Sequence, residues 1–148
     1  MVTNNKNDRS KAIFYSKSSA KKEIEDILIL ILNTMMYAER QAYLQEEKNP
    51  NNKANGYRPV SVRGDGGRRL TLAIPRDRLI IFRSYLIDVL KSEGPTVYAL
   101  CDQLYHSGFS ARKLKKLFAQ IYTHKYAPKT ITTMIRIFKK QLNNKLKQ

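Results

Sequence analysis

The stretch that decides the fold is SGFSARKLKKLFAQIYTHKYAPKTITTMIRIFKK, residues 107–140. Its apolar residues recur three and four positions apart, and Ser110 and Pro128 stand where helices commonly begin. The pattern predicts two helices joined by a turn over residues 123–127. The side chains expected to face inward are Leu114, Leu117, Phe118 and Ile121 in the first helix, and Ile131, Met134 or Ile135, and Phe138 in the second.

A further helix is predicted immediately upstream. It begins after Gly94-Pro95 and ends at Gly108, because proline favours the first turn of a helix and glycine commonly caps the last. Three short helices with tight turns are typical of a helix-turn-helix domain, whose last helix enters the major groove of DNA. We therefore predict a helix-turn-helix domain with a basic tail over residues 93–148. A basic three-helix bundle that binds RNA or protein is the alternative.

Positive charge is concentrated in this predicted domain. The chain of 148 residues has 28 Lys and Arg against 12 Asp and Glu, a net charge of +16. No acidic residue follows Asp102, whereas 11 Lys and Arg residues do. Such an excess favours a polyanion, because cations on a protein displace the counterions condensed on phosphates. The expected partner is double-stranded DNA, and an RNA- or ribosome-associated structural protein is the alternative.

The inward-facing residues leave two sets of polar side chains on the outside of the last two helices. Short hydroxyl groups and an arginine suit base edges and phosphates, and the remaining cations suit the DNA backbone. The first set is Lys129, Thr130, Thr132, Thr133 and Arg136. The second set is Arg112, Lys113, Lys116, Lys139 and Lys140.

A long helix is predicted near the start of the chain, over residues 19–47. Ser19 is its expected N-cap, and apolar residues follow at helical spacing. The run from Ile27 to Leu32 makes the helix apolar on more than one face, so it packs into the protein's own core or against a second subunit of a homodimer. Residues 1–18 are predicted to be a flexible basic arm, which either touches phosphate or is a disordered terminus.

A linker over residues 48–56 precedes an Arg-rich β-hairpin and a short helix, predicted together over residues 57–92. Valine, leucine and isoleucine alternate with polar residues on both sides of Gly64-Asp65-Gly66-Gly67, which is the pattern of a hairpin. Every basic residue from Arg58 to Arg83 is arginine, which makes forked contacts with phosphate and guanine. The expected DNA contacts here are Arg63, Arg68 and Arg69, and a solvated hairpin face is the alternative.

Several other kinds of site are not indicated by the sequence. The glycines of the hairpin lack the lysine and the strand–helix context of a phosphate-binding loop. Cys101, the single cysteine, is expected to be a small buried hydrophobe, and His106 and His124 are isolated from metal-ligand partners. The longest apolar run is too short to span a membrane. We therefore expect a cytoplasmic, nucleoid-associated protein without an enzyme active site, a metal or a cofactor.

Several short motifs also occur along the chain in an order that resembles a known family. They are Ala38-Glu39-Arg40-Gln41-Ala42-Tyr43-Leu44, Asn55-Gly56-Tyr57, Leu70-Thr71-Leu72-Ala73-Ile74-Pro75-Arg76-Asp77-Arg78 and Gly108-Phe109-Ser110-Ala111-Arg112. Over about residues 36–138 this succession resembles the N-terminal, DNA-binding region of Mutator-type transposases of prokaryotic insertion sequences. Leu79-Ile80-Ile81 departs from the family pattern, which is polar after the strand, and Ala127 stands where a capping serine is usual.

The resemblance implies binding to terminal inverted repeats and self-association of subunits. It also implies a further catalytic domain with an Asp-Asp-Glu metal site, before which this sequence stops at Gln148. The expectation is therefore a DNA-binding protein derived from a transposase. It is either truncated or reused as a regulator, with a full-length transposase as a further partner.

Overall fold

The computed structural model describes residues 17–64 and 69–147. These ranges hold, in chain order, α1 (Lys17–Glu46), β1 (Ala54–Arg63), β2 (Arg69–Asp77), α2 (Tyr85–Ser107), α3 (Ala111–Tyr122) and α4 (Pro128–Leu146). The prediction of a mainly helical fold with a small antiparallel hairpin is confirmed. Residues 65–67 of the predicted turn, Arg68, and all but the last two residues of the predicted arm lie outside the described residues.

Helix α1 runs through the middle of the core. It begins two residues before Ser19, so that residue lies inside the helix rather than at its cap. Its central side chains are at most 1% exposed: Ile31, Leu32, Met35, Met36, Ala38 and Ala42. They occupy more than one face because β2 and α4 both pack against this helix. Of the two predicted environments, the protein's own core therefore accounts for the middle of α1.

The hairpin packs one face against α1. Its antiparallel register pairs Val62 with Leu70 and Arg63 with Arg69, and the alternating residues Val62, Leu70, Leu72 and Ile74 are buried. The amide of Ala73 donates to Oδ1 of Asn33 at 2.9 Å, which ties β2 to α1. Strand β1 begins at Ala54, inside the predicted linker, because the register shift between Ala54 and Tyr57 lets pairing continue past Gly56, whose φ is +68°.

Helix α2 joins two segments that were predicted as separate helices. Its interior bends at Glu93, where φ is −133° and ψ is 30°, and Pro95 follows. Proline removes a backbone donor and clashes with the preceding turn, so it accounts for the bend. A Cβ atom at Gly94 would lie 3.3 Å from Cε2 of Tyr98, so glycine allows the tyrosine ring to pack at the bend.

The three predicted C-terminal helices are present. We call the part of α2 after Pro95, together with α3 and α4, the three-helix unit. The hydroxyl of Ser110 accepts from the amide of Lys113 at 3.3 Å, and Pro128 opens α4. Phe118 and Phe138 are fully buried, with ring centroids 5.3 Å apart. Met134, rather than Ile135, is the fully buried residue of the pair left open by the sequence.

The unit does not stand apart from the rest of the core. Helix α4 packs along α1, and the buried hydrophobic side chains of all six elements form one cluster. Within the described ranges, no helix is long and apolar enough to cross a membrane.

Candidate nucleic-acid interface

A row of polar side chains follows the outer face of α4. Lys129, Thr132, Arg136, Lys139 and Lys140 are all exposed, at spacings of three and four residues that place them on one side of the helix. Thr133, beside them, is half-buried. The row therefore presents four cations and short hydroxyls along the face of α4 that points away from the core.

The expectation that Thr130 faces outward is wrong. Its side chain is 7% exposed, and its hydroxyl donates to Oε2 of Glu46 at 2.6 Å. The bond joins the start of α4 to the end of α1. The spacing carried a signal for this, because Thr130 lies four and eight residues before the buried Met134 and Phe138, on the same side of the helix.

The two remaining threonines use their hydroxyl protons within the helix. Thr132 donates to the carbonyl of Pro128 at 3.0 Å, and Thr133 donates to that of Lys129 at 3.2 Å. Their hydroxyl oxygens retain lone pairs. Thr132 is exposed and Thr133 half-buried, so these side chains meet a ligand mainly as acceptors.

Helix α3 adds a second group of exposed cations, Arg112, Lys113 and Lys116. The ammonium of Lys113 donates to the carbonyl of Ser107 at 3.1 Å, so this residue also caps the end of α2. The first turn of α3 holds no acidic residue. Positive charge therefore adds to the partial positive charge of the helix N-terminus.

The predicted hairpin contacts lie at the turn end of the hairpin. Arg63 and Arg69 are both exposed and face each other across the strands, and Nε of Arg69 donates to Oγ of Ser61 at 2.9 Å. The hydroxyl of Tyr98 donates to the carbonyl of Arg63 at 2.6 Å, which fixes this end of the hairpin to the three-helix unit. Arg68 lies outside the described residues.

The structure also contains a buried carboxyl group that the sequence did not single out for a structural role. Glu39 is 1% exposed and accepts from Oγ of Ser84 at 2.9 Å, the amide of Tyr85 at 2.5 Å and the hydroxyl of Tyr126 at 2.6 Å. Burial raises the pKa of Glu39, although these hydrogen bonds oppose the shift. The carboxyl group joins α1, the start of α2 and the turn before α4, so it helps to set where α4 lies.

The neighbouring Arg40 holds the other end of the hairpin. Nη1 of this buried guanidinium donates to the carbonyls of Gly56 at 3.1 Å and Arg76 at 3.2 Å. Its Cζ lies 5.0 Å from the ring centroid of Tyr57 and 5.7 Å from that of Tyr37, a cation–π arrangement. The Glu39-Arg40 pair is thus a structural junction. The sequence signal for it was two adjacent charges within the mostly apolar part of the helix, residues 27–44.

A second buried carboxylate, Asp77, organises the loop after β2. It accepts from Nδ2 of Asn52 at 2.9 Å and from the amides of Ile81 and Phe82, each at 3.1 Å. Burial raises the pKa of Asp77, but these hydrogen bonds outweigh burial and leave it below its ordinary value. The carboxylate is therefore held ionised and fully satisfied, as a structural group.

Metal and thiol chemistry are not built into the described part of the chain. Among residues 17–64 and 69–147, no group of three or more His, Cys, Asp or Glu is placed to hold a metal ion. Cys101 is buried as predicted, and burial raises the pKa of its thiol to about 12. A thiol with so high a pKa stays protonated and is a poor nucleophile.

Comparison with known proteins yields one match. The sequence model of a family described as "Transposase, Mutator family" matches residues 1–147, which include every element described above. No curated protein and no solved structure matches. The family match extends the resemblance carried by the short motifs of residues 36–138 to nearly the whole chain.

Proposed function

Because the chain belongs to the Mutator family of transposases, we propose that it binds double-stranded DNA through residues 95–140 and recognises inverted-repeat sequences. The observation that carries the proposal is the row of exposed cations and hydroxyls on the outer face of α4. In this proposal α4 is the recognition helix of a helix-turn-helix, and it lies in the major groove.

The dimensions of the row suit this role. From Lys129 to Lys140 the helix rises about 16 Å, and the major groove is about 12 Å wide. Arg136, near the middle, would reach base edges, whereas the lysines near the two ends would reach phosphates on either side of the groove. The acceptor oxygen of Thr132 suits the exocyclic amino groups of adenine or cytosine.

Helix α3 supplies the contacts that set orientation. Arg112 and Lys116 are exposed near the N-terminal half of α3, where backbone amides and the helix dipole also favour an anion. We propose that this end of α3 lies on the DNA backbone, with Arg63 and Arg69 as a further phosphate contact from the hairpin. The role is one of binding, and the buried carboxylates Glu39 and Asp77 serve the fold.

We expect Arg136→Ala to remove sequence preference while leaving general duplex affinity largely intact. A forked arginine–guanine contact discriminates by about 1–3 kcal/mol against other bases, whereas phosphate contacts carry no sequence information. The measurement is selection from a random duplex library, followed by fluorescence anisotropy with selected and scrambled duplexes. The ratio of the two affinities should fall by about 5- to 150-fold.

Arg136→Lys is the matched control, because it keeps the charge and loses the fork. It should show the same loss of preference as the alanine variant, with scrambled-duplex affinity equal to that of the wild type. If both variants select the wild-type sequence, Arg136 does not read bases. If structured RNA displaces the selected duplex, the RNA-binding alternative replaces the proposal.

A homodimer is the second part of the proposal, since two subunits would provide one three-helix unit for each of two inverted repeats. Its support is the N-terminal half of α1. Ile24 is 50% exposed, and it begins a stripe that continues through the half-buried Ile27 and Leu28 to the buried Ile31. A second copy of the same stripe is a suitable partner for an apolar face of this kind.

We expect Ile24→Glu to convert the dimer to a monomer, because it places a charge in the proposed apolar contact. Light scattering coupled to size-exclusion chromatography would report half the wild-type mass. Glu23→Gln, a change at the adjacent exposed residue, should keep the dimer. If the wild-type chain is monomeric at high concentration, this dimer contact is wrong. The proposed DNA binding is tested separately by the Arg136 variants.

A further inference from the structure

Three consecutive apolar side chains lie at the surface in the loop between β2 and α2. Leu79, Ile80 and Ile81 are 36%, 87% and 57% exposed, and we call them the apolar tip. Several of the apolar residues that follow them in α2 are buried. A contiguous exposed aliphatic group of this kind marks a contact surface more often than a scattered single residue does.

The apolar tip is held outward by hydrogen bonds rather than left loose. Ile80 has a φ of +56°, the only positive value at a non-glycine residue in the described ranges. A β-branched residue seldom adopts this conformation unless its surroundings impose it. Here the Asp77 carboxylate accepts from the amides of Ile81 and Phe82, and Oδ1 of Asn52 accepts from the amide of Leu79 at 3.2 Å.

Cations line a groove beside Ile80 of the apolar tip. Ile80 lines a groove of about 380 Å³, together with Arg58, Arg76, Arg83 and Lys91. The one carboxylate in its lining, Asp77, is already engaged by Asn52 and the loop amides. Arg83 lies 3.6 Å from Asp88, and both side chains are largely exposed, so this ion pair gives way readily to a phosphate. An apolar tip beside a basic groove is complementary to a polyanion that also exposes apolar surface.

We propose that the apolar tip is a wedge that inserts between base pairs from the minor groove of duplex DNA, while the basic groove beside it holds the phosphate backbone. Proteins that bend DNA combine these two features, because an inserted aliphatic side chain unstacks and kinks a base step while arginines and lysines hold the phosphates beside it. The inference rests on the proposed DNA binding and adds a second contact to it, one that deforms the duplex.

The apolar tip is attached to the molecule close to the start of α4. The ring of Phe82, next to the apolar tip, lies 5.4 Å from that of Tyr43, and Thr130 at the start of α4 bonds to Glu46. Tyr43 and Glu46 are one turn apart on α1. The loop and the N-terminal end of α4 are therefore both attached to the C-terminal end of α1.

The test is DNA bending and unstacking with the full chain. End-labelled A·T-rich duplexes with 2-aminopurine at TA steps report the two effects by energy transfer and by fluorescence. The wild type should bend the duplex by about 20–90° and raise the 2-aminopurine signal. Ile80→Asn should bind the duplex while losing both effects, since asparagine tolerates positive φ and has no apolar wedge. Leu146→Asn, at a residue 57% exposed elsewhere, should keep both.

The possible outcomes distinguish failure of the wedge from failure of the proposed DNA binding. If the wild type does not bind duplex DNA, the proposed function fails. If it binds without bending or unstacking the duplex, or if Ile80→Asn bends DNA like the wild type, the wedge is wrong and DNA binding stands. If Ile80→Asn instead lowers the mass of the chain in solution and leaves bending unchanged, the apolar tip is a protein contact and the wedge is overturned.

Discussion

Glu39→Ala should lower the free energy of unfolding by about 3 kcal/mol or more, because each buried or half-buried donor left unsatisfied costs about 1–3 kcal/mol. The donors are the Ser84 hydroxyl, the Tyr85 amide and the Tyr126 hydroxyl, with the Tyr122 hydroxyl further away at 3.5 Å. Glu39→Gln should cost much less. Its carbonyl oxygen can accept from Tyr85 and Tyr126, and its amide can donate to the Ser84 hydroxyl, which rotates to accept. Urea unfolding followed by circular dichroism measures both.

Glu46→Ala is the matched control, since Glu46 is an exposed glutamate with one hydrogen bond, from Thr130. Its loss should cost at most about 1.5 kcal/mol. If Glu39→Ala were no more costly than Glu46→Ala, the buried carboxyl group would not be the junction that the distances indicate.

The same residue predicts a pH dependence with a definite sign. Burial raises the pKa of Glu39 in the folded chain above its ordinary value of 4.5. The folded state then binds the proton more tightly than the unfolded state. The stability that this proton contributes is therefore complete below the ordinary pKa and is lost as pH rises through the folded pKa. Glu39→Gln cannot lose this proton. The unfolding free energy of the glutamine variant should therefore rise relative to that of the wild type as pH increases above 4.5. A difference that stays constant would contradict the shift.

Local chemistry accounts for the part of the fold that the sequence predicted well. Ser110 caps α3 through an amide three residues away, and Pro128 opens α4 through its own ring, so neither depends on the rest of the chain. Helical periodicity likewise placed Phe118 and Phe138 in the core. These signals act over one or two helical turns and do not depend on which elements pack around them.

The junction at Glu39 and Arg40 could not be predicted in this way. Ser84 lies 45 positions after Glu39 and Tyr126 lies 87 positions after it. Which donors meet the carboxyl group depends on how α1 packs among β2, α2 and α4. The sequence showed only that two charges interrupt the mostly apolar part of α1, and the resemblance to a family motif carried no information on their structural role.

Exposure of the apolar tip was missed for a related reason. Apolar residues at 79–81 and the buried ones that follow have the same composition, and periodicity alone does not separate them. The difference comes from the Asp77 carboxylate, which accepts hydrogen bonds from the amides of Ile81 and Phe82 and so turns the chain before α2 begins. The exposure of the cations on α4 was better predicted because it follows from helical geometry, and the error at Thr130 came from α1 covering that side.

The affinity for duplex DNA should fall steeply as salt rises. If six of the exposed cations on α3, α4 and the hairpin contact phosphates, the plot of log affinity against log salt has a slope of about −5. Between about 50 and 200 mM salt the affinity then drops by about 10³-fold. Lys116→Ala should make the slope shallower by about one and weaken all duplexes alike, because it removes one phosphate contact. Fluorescence anisotropy over a salt series measures the slope.

Gln120→Ala is the matched control for Lys116→Ala, because Gln120 is exposed, neutral and four residues further along the same side of α3. Its slope should equal that of the wild type. A salt-insensitive wild type would contradict a phosphate-dominated interface altogether. A normal slope that Lys116→Ala leaves unchanged would move the backbone contact away from α3, to the lysines of α4 and the arginines of the hairpin. The salt series therefore tests whether α3 meets the DNA backbone, as well as whether the chain binds DNA at all.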